Sequence, residues 1–355
     1  MTSTPSPAHA HLPEHSRTAV LTEPGTIVVE DRPMPVPAPD EVVIEVRAVG
    51  VCGSDTHYFD DGRIGHFVVE GPFVLGHESS GVVVATGADV DPARIGERVS
   101  IEPGVPCRAC EQCLAGRYNL CPDMRFHATP PFDGSLTQYV AHHHAFAFPV
   151  PDSVSDEAAA LVEPLSVGVW ACRKAAIGVG SRVLVTGAGP IGLVCVQAAL
   201  AAGATEVVVA DVNPHRLSLA ARLGATATVD LTTDDLPRTY AGRPGPNALL
   251  ECSGHPGSTL AAIHVLAPAG CAVMVGTGSG DLTLPLQAIQ ERELVVTGVF
   301  RYANTWPAAI ALVASGRVDL DALVTGHFRL DQSAEALTAS RRDPTAVKSV
   351  IHPQD

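Results

Sequence analysis

The chain has 355 residues, room for two domains at about 150 residues each, which excludes a peptide or a small disulfide-stapled scaffold. Its formal net charge of −15 repels phosphate backbones, so nucleic acid is not an expected partner. Only 17% of residues are charged and 46% are hydrophobic, so much of the chain must be buried in its own fold or in an oligomer.

In chain order, residues 1–17 are rich in Pro, His, Ser and Thr, lack the apolar run of a signal peptide, and read as a disordered tail. From Thr18 to about Val167, short apolar runs punctuated by Gly, Pro and Asp predict strands at 19–21, 27–30, 42–47, 80–86 and 98–101. From about Gly168 the pattern changes. Strands at 183–185, 207–210, 248–251 and 272–275 alternate with helices at 191–202 and 214–223, the latter started by Asn213 and Pro214 as N-cap and first helical residue. Such alternation predicts a mostly parallel, doubly wound sheet. A last helix at 307–315 closes at Gly316. The expected division is a tail (1–17), a catalytic domain from 18–167 and 301–355, and a dinucleotide-binding domain at 168–300. Residues 183–205 are uncharged and long enough to cross about 30 Å as a helix. Gly187, Gly189, Pro190 and Gly192 nevertheless fall where a strand turns into a helix, so the segment reads as the buried start of a parallel sheet and no membrane partner is expected.

Gly187-Ala188-Gly189-Pro190-Ile191-Gly192 follows an apolar strand and opens a helix, the context in which G-x-G-x-x-G binds a dinucleotide pyrophosphate on backbone N–H groups. Asp211 ends the next strand about 20 residues on, where a carboxylate accepts from ribose hydroxyls and repels a 2′-phosphate, so NAD is favoured over NADP. Arg216 stands near enough to receive such a phosphate and keeps NADP as the alternative.

The nine cysteines are an odd set, and Cys107, Cys110, Cys113 and Cys121 crowd into one short loop. This pattern fits a closed four-thiolate zinc site in a reducing, cytoplasmic setting, with an iron–sulfur cluster, disulfides or free thiols as the competing uses. Cys172, Cys195, Cys252 and Cys271 lie in apolar contexts and read as core, and His142-His143-His144 reads as solvent-facing. A second set of zinc-ligand residue types is dispersed: Cys52, His77, Glu78 and Glu163. Their spacing alone brings none of them together.

Gly76-His77-Glu78-x-x-Gly81, followed by Gly87 and Val90, resembles the zinc signature of the medium-chain dehydrogenase/reductase superfamily. The order of parts from Thr18 onward also resembles the zinc alcohol dehydrogenases. Gly62-Arg63-Ile64-Gly65, Glu163-Pro164-Leu165-Ser166-Val167-Gly168 and the segment from Gly298 to Pro307 are similar to its sorbitol (L-iditol) and xylitol dehydrogenase branch. The resemblance implies an α/β fold with a β-rich GroES-like catalytic domain and a Rossmann domain with a doubly wound parallel sheet. It implies two zinc ions per chain, one structural on the four-cysteine loop and one catalytic on Cys52, His77 and Glu78, with Glu163 as a fourth group directly or through water. The four loop cysteines are a departure from the animal sorbitol enzymes that favours a retained structural zinc.

The resemblance further implies Ser54 and His57 as a proton relay, beside the plainer readings of a helix cap and a surface residue. It places Tyr58, Phe126, Glu163, Arg301 and Tyr302 at the substrate, and Gly276 and Gly278 with Ile191 at the cofactor. Hydride transfer from an alcohol of high pKa calls for a Lewis acid on its oxygen at neutral pH. The expected reaction is therefore NAD-dependent oxidation of a secondary hydroxyl of a polyol by a homotetramer. A sibling activity on L-threonine, 2,3-butanediol or another secondary alcohol is the alternative, and a non-catalytic dinucleotide-binding protein is a third reading.

Overall fold

A computed structural model describes residues 12–278 and 281–355. The parallel sheet is built from strands whose side chains are apolar on both faces. Val183, Leu184 and Val185 of strand Arg182–Thr186 are at most 1% exposed, as are Val207, Val208, Val209 and Ala210 of Glu206–Asp211. The six strands run, from one edge, Ala227–Asp230, Glu206–Asp211, Arg182–Thr186, Ala248–Glu251, Cys271–Met274 and Val295–Gly298, all parallel. Numbered by sequence this order is 3-2-1-4-5-6, so the strand order reverses between Arg182–Thr186 and Ala248–Glu251 while all strands stay parallel, and the cleft opens there. Helix Pro190–Ala201 follows the first of these strands and buries Leu193, Val194, Cys195 and Val196 completely. The uncharged segment is thus half strand, half core helix. Among the described residues no helix is long and apolar enough to cross a membrane.

The β-rich part holds a seven-stranded sheet, in which Ala147–Pro149, Arg98–Ile101, Glu78–Thr86, Glu41–Gly50, Lys348–His352 and Val324–Arg329 lie side by side and Tyr139–His143 also pairs with Glu41–Gly50. Two of its strands come from the end of the chain. A three-stranded sheet of Thr26–Pro33, His15–Glu23 and Phe73–Val74 packs beside it through Val20, Leu21, Val46, Val49, Phe73 and Ile351.

Four expectations change. The tail is shorter than 17 residues, because strand His15–Glu23 has already begun and Ser16 is 2% exposed, its hydroxyl 2.9 Å from that of Thr137. Polar composition at 1–17 concealed a strand whose partner lies far along the chain; residues 1–11 lie outside the described set. Second, helix Val162–Lys174 runs straight through 167/168, where a boundary was expected. A Cβ on Gly168 would meet the Val194 backbone at 3.2 Å, so this glycine lets two helices approach within the core rather than marking a junction. Third, helix Trp306–Ala314 packs with Val162–Lys174 in the core of the parallel-sheet unit, although residues from 301 were expected to rejoin the β-rich domain as a block. Fourth, His142 and His143 are buried, not solvent-facing. His142 Nδ1 lies 3.1 Å from His127 Nε2 and its Nε2 is 2.9 Å from the Glu102 carbonyl, and burial pushes its pKa down to about 4. Cys172 and Cys195 are core as expected, while Cys252 and Cys271 are half-buried.

Trp306 is fully buried and its indole N–H donates to Ser100 Oγ at 3.0 Å, joining the helix layer to strand Arg98–Ile101 of the other sheet. Trp306→Ala is expected to cost about 3–5 kcal/mol. A denaturant midpoint equal to that of the wild type would contradict this joint.

Candidate active site

Cys52 is the N-cap of helix Gly53–Asp61, with extended backbone at φ −99°. Asp55, three residues on, returns its Oδ2 to the Cys52 N–H at 3.0 Å in a capping-box arrangement. Its other oxygen accepts from Gly76 N–H at 3.0 Å and stands 3.5 Å from His77 Nδ1. Asp55 is 1% exposed; burial works to raise its pKa, but His77 and the two backbone donors outweigh this and hold the carboxyl below its usual range. One carboxylate therefore orients both the helix start that carries Cys52 and the imidazole of His77.

The ligand atoms of Cys52, His77 and Glu78 lie within 4.8 Å of one another. Glu78 is 1% exposed, and Lys348 Nζ donates to its Oε1 at 2.7 Å and faces its Oε2 at 2.6 Å. Glu78 Oε2 itself receives no well-directed hydrogen bond. A thiol, an imidazole and a carboxylate whose Oε2 takes no well-directed hydrogen bond form a donor set that fits zinc. Gly50 permits this approach, since a Cβ there would fall 2.2 Å from Glu78 Oε2.

Glu163 is not in that triangle of ligand atoms. It lies in the first turn of helix Val162–Lys174 and accepts from the Tyr302 hydroxyl at 2.7 Å. Burial lifts its pKa to about 7, with His77 opposing and Glu78 adding to the rise. Tyr302, expected against substrate, is 2% exposed with its hydroxyl committed to Glu163. Arg301 sits at φ 56°, a left-handed backbone that is uncommon for a side chain of this size. Its guanidinium stacks 3.8 Å over Phe126 and 4.8 Å from Phe300, contacts Thr129 Oγ1 at 3.3 Å, and makes no ion pair among the described residues. Phe126 also neighbours His77, ring centroids 5.9 Å apart. Tyr58 is buried edge-on to Phe73 at 6.0 Å. Ser54 is half-buried and His57 exposed on the helix begun by Cys52, and neither side chain is hydrogen-bonded among the described residues.

Cys107, Cys110, Cys113 and Cys121 also converge within 4.8 Å, with sulfur separations of 3.9 Å (Cys107 to Cys113) and 3.4 Å (Cys110 to Cys113). Four thiolates bound at about 2.3 Å in a tetrahedron lie about 3.8 Å apart, whereas a disulfide requires about 2.0 Å. The loop thus fits one metal and not a pair of disulfides. Backbone N–H groups of Ala109 and Cys110 point at Cys107 Sγ and pull its pKa down to about 7. This lobe is stitched to the Arg301 loop: Asn304 N–H donates to Tyr118 Oη at 2.8 Å, Asn304 Nδ2 to Gly116 O at 3.0 Å, and Asn119 Nδ2 to Phe300 O at 2.9 Å. Tyr118 in turn donates to Glu102 at 2.7 Å.

At the cleft, Gly187 has φ 87°, and a Cβ on Gly192 would fall 1.8 Å from Gly187 O, so turn and helix fit only with hydrogen at that position. Ile191 lies in the first turn of the helix that Gly189 caps. Asp211 accepts from Ala188 N–H at 2.5 Å and Asn213 N–H at 2.7 Å, holding the turn against the second strand. Arg216 is half-buried with an unpartnered Nε. Across the cleft, a Cβ on Gly276 would lie 2.5 Å from Gly254 N, and one on Gly278 3.3 Å from Gly254 O.

Residues 38–152 match the family model "Alcohol dehydrogenase GroES-like domain" and residues 190–315 match "Zinc-binding dehydrogenase". The sorbitol dehydrogenase of Macaca fascicularis is 44% identical over 329 residues, 91% of this chain and 92% of that protein. The chain belongs to the sorbitol dehydrogenase family of zinc-binding dehydrogenases. The sorbitol dehydrogenase of Bacillus subtilis (strain 168) is 42% identical over 92% of this chain and 94% of that protein. A crystal structure of an Escherichia coli oxidoreductase/dehydrogenase of unknown specificity superimposes with TM-score 0.92 at 36% identity, covering 96% of this chain and 100% of that one. This family member is an enzyme, and zinc and NAD are its cofactors.

Sequence reasoning missed Asp55, Lys348, Glu102, Tyr118 and Glu251. Asp55 had a local signal, its capping-box spacing from Cys52. The buried Glu251 accepts from Thr186 Oγ1 at 3.1 Å, Ser253 N–H at 3.0 Å and Gly254 N–H at 3.1 Å, closing the wall of the cofactor cleft. In this dehydrogenase Tyr118→Phe is expected to raise KM for the substrate by up to about tenfold while zinc content stays unchanged, the worth of one hydrogen bond. Unchanged KM in steady-state kinetics would contradict a link between the cysteine lobe and the Arg301 loop.

Proposed function

We propose that this dehydrogenase oxidises a secondary hydroxyl of a sugar alcohol, of the sorbitol or xylitol class, to the ketose with reduction of NAD+. The observation that carries this reading is the Arg301 guanidinium, stacked on Phe126 and Phe300 and without an ion pair among the described residues, beside the Glu163–Tyr302 pair. A planar cation with spare donors suits a ligand bearing several hydroxyl oxygens.

Cys52, His77 and Glu78 are the residues that would hold the catalytic zinc, with Glu163 adjoining as a fourth group, and Cys107, Cys110, Cys113 and Cys121 would hold the structural one. When bound, the catalytic zinc supplies a Lewis acid for the substrate oxygen and NAD+ accepts the hydride. The chain's own work is orientation and proton handling. Asp55 keeps the His77 ring in place, and Lys348 balances the buried charge of Glu78. Arg301 fixes the polyol, so that one carbinol carbon is presented to the nicotinamide. Tyr302 positions Glu163 through its hydroxyl. The hydroxyl proton leaves by Ser54 towards His57 at the surface, with Glu163 as the competing route. Gly187, Gly189, Ile191 and Gly192 would cradle the pyrophosphate, with Gly276 and Gly278 forming the facing wall. Asp211 at the ribose supports NAD over NADP, despite Arg216 nearby.

A homotetramer in the cytoplasm completes the proposal. The low charged fraction of 17% supports association, and nine free cysteines support a reducing compartment.

Initial rates of NADH formation with sorbitol, xylitol, galactitol, ribitol, L-threonine, 2,3-butanediol and ethanol test the reading. A polyol should lead the panel; leadership by L-threonine or butanediol would overturn the substrate assignment. Prolonged chelation should abolish turnover and added Zn2+ restore it, and full activity in demonstrably zinc-free protein would refute the metal's role. Arg301→Ala should raise KM for the polyol by about 10–100-fold, the worth of a charged hydrogen bond, and leave a simple secondary alcohol little changed. Equal effects on both substrates would remove Arg301 from polyol recognition.

A further inference from the structure

A third cluster of potential ligands lies apart from both zinc positions. Glu157 belongs to the short helix Asp156–Ala160, His327 to strand Val324–Arg329 and His352 to strand Lys348–His352. The two strands pair in parallel with His327 opposite Val350, so His352, two residues further along, projects from the same face of the sheet. Glu157 Oε1 stands 2.7 Å from His327 Nδ1 and 2.9 Å from His352 Nε2, and the three ligand atoms lie within 4.8 Å of one another.

The second ring nitrogen of His352 decides what this cluster can hold. Its Nδ1 lies 3.2 Å from the carbonyl oxygen of Arg47, which only accepts, so Nδ1 carries a proton. A neutral His352 ring then turns the lone pair of Nε2 towards the Glu157 carboxylate. Two acceptors at 2.9 Å need a cation to join them, either a proton that makes His352 an imidazolium or a metal ion. The backbone carbonyl behind the ring is the arrangement that fixes tautomer and direction in metal-ligating histidines.

We propose that Glu157, His327 and His352 bind a divalent transition-metal ion of the zinc class, at a site distinct from the Cys52 and Cys107 clusters. Two imidazoles and one carboxylate are a borderline donor set that leaves a fourth position for water or an anion. Tetrahedral bonds of about 2.1 Å place donor atoms about 3.4 Å apart, so the observed contacts open by roughly half an ångström on binding. His327, with its side chain 63% exposed, is free to make that movement, while Glu157 and His352 at 19% and 24% are held by their surroundings. The occupied site clamps helix Asp156–Ala160, which leads directly into the helix carrying Glu163, to the strand carrying Lys348. It adds stability that rises with the logarithm of metal concentration above the dissociation constant, without taking part in the reaction.

The test uses the zinc-loaded, full-length enzyme, freed of loosely held metal by gel filtration and then equilibrated with Zn2+ in equilibrium dialysis with elemental analysis. The wild type should bind one ion per chain more than a His327→Ala/His352→Ala variant. Glu157→Gln, which keeps shape and bulk, should weaken that extra binding at least tenfold. The melting temperature of the wild type should rise with added Zn2+ and that of the double variant should not, with equal melting temperatures before addition showing that the variant is folded. His264→Ala, which removes an exposed histidine outside the cluster, should behave as wild type. Equal extra zinc in the wild type and the double variant would overturn the proposal, as would an equal loss of zinc in His264→Ala.

Discussion

The buried carboxylate of Asp55 is the constraint on which the reaction centre depends. Cys52 begins a helix and His77 precedes a strand; the pairing of Gly50 with Glu78 brings their two segments together, but the sheet ladder does not extend to Cys52 and His77 themselves. Asp55 supplies the missing link by accepting from the Cys52 and Gly76 backbones while facing His77. A charge buried to 1% exposure survives only where donors replace its hydration, and here two N–H groups and an imidazole do so. Because the partners come from two segments far apart in the chain, the helix start at Cys52 and the Gly76-His77 turn, a shift in either displaces the other. The Glu78–Lys348 pair repeats the device on the opposite side, with the cation brought from the last strand of the chain.

The substrate side is held by a different means. Arg301 and Asn304 both occupy left-handed backbone at φ 56° and 55°, which costs free energy for residues with side chains. Anchors from the cysteine lobe, together with Arg173 donating to Asn304 O at 2.7 Å, offset that cost. A metal in the four-cysteine loop would therefore bear on catalysis without touching substrate, by stiffening the platform against which the Arg301 loop is pinned. Trp306 extends the same segment into the core beneath Tyr302, ring centroids 5.2 Å apart, so loop, carboxylate and helix layer form one packed unit. The glycine turn at Gly187 and the Glu251 network meet at the two central strands, where the strand order of the parallel sheet reverses.

Features encoded over a few residues are legible in the amino-acid sequence. Apolar runs mark the inner strands, the glycine turn carries its own strand-and-helix context, and the spacing of Cys107, Cys110, Cys113 and Cys121 restricts them to a shared centre. Failures come where a residue's partner lies far away in sequence. Ser16 reads as tail because its hydrogen-bond partner is Thr137, and His142 reads as exposed because the residues that bury it, His127 and Glu102, lie on other loops and strands. Gly168 reads as a junction, but its small size serves a helix contact with Val194.

By itself, then, the sequence determined the α/β class, the dinucleotide turn, the four-thiolate loop and the residue types available for catalysis, because helical and strand periods, turn chemistry and short ligand spacings act within a few residues. The tertiary structure alone decided that Cys52, His77 and Glu78 meet, that Lys348 neutralises Glu78, that Tyr302 serves Glu163, and that Arg301 stacks on two aromatic rings with no ion pair among the described residues. These follow from the burial of polar groups, each of which takes whichever partner the packed chain brings within about 3 Å. That choice depends on the whole fold and leaves no local trace.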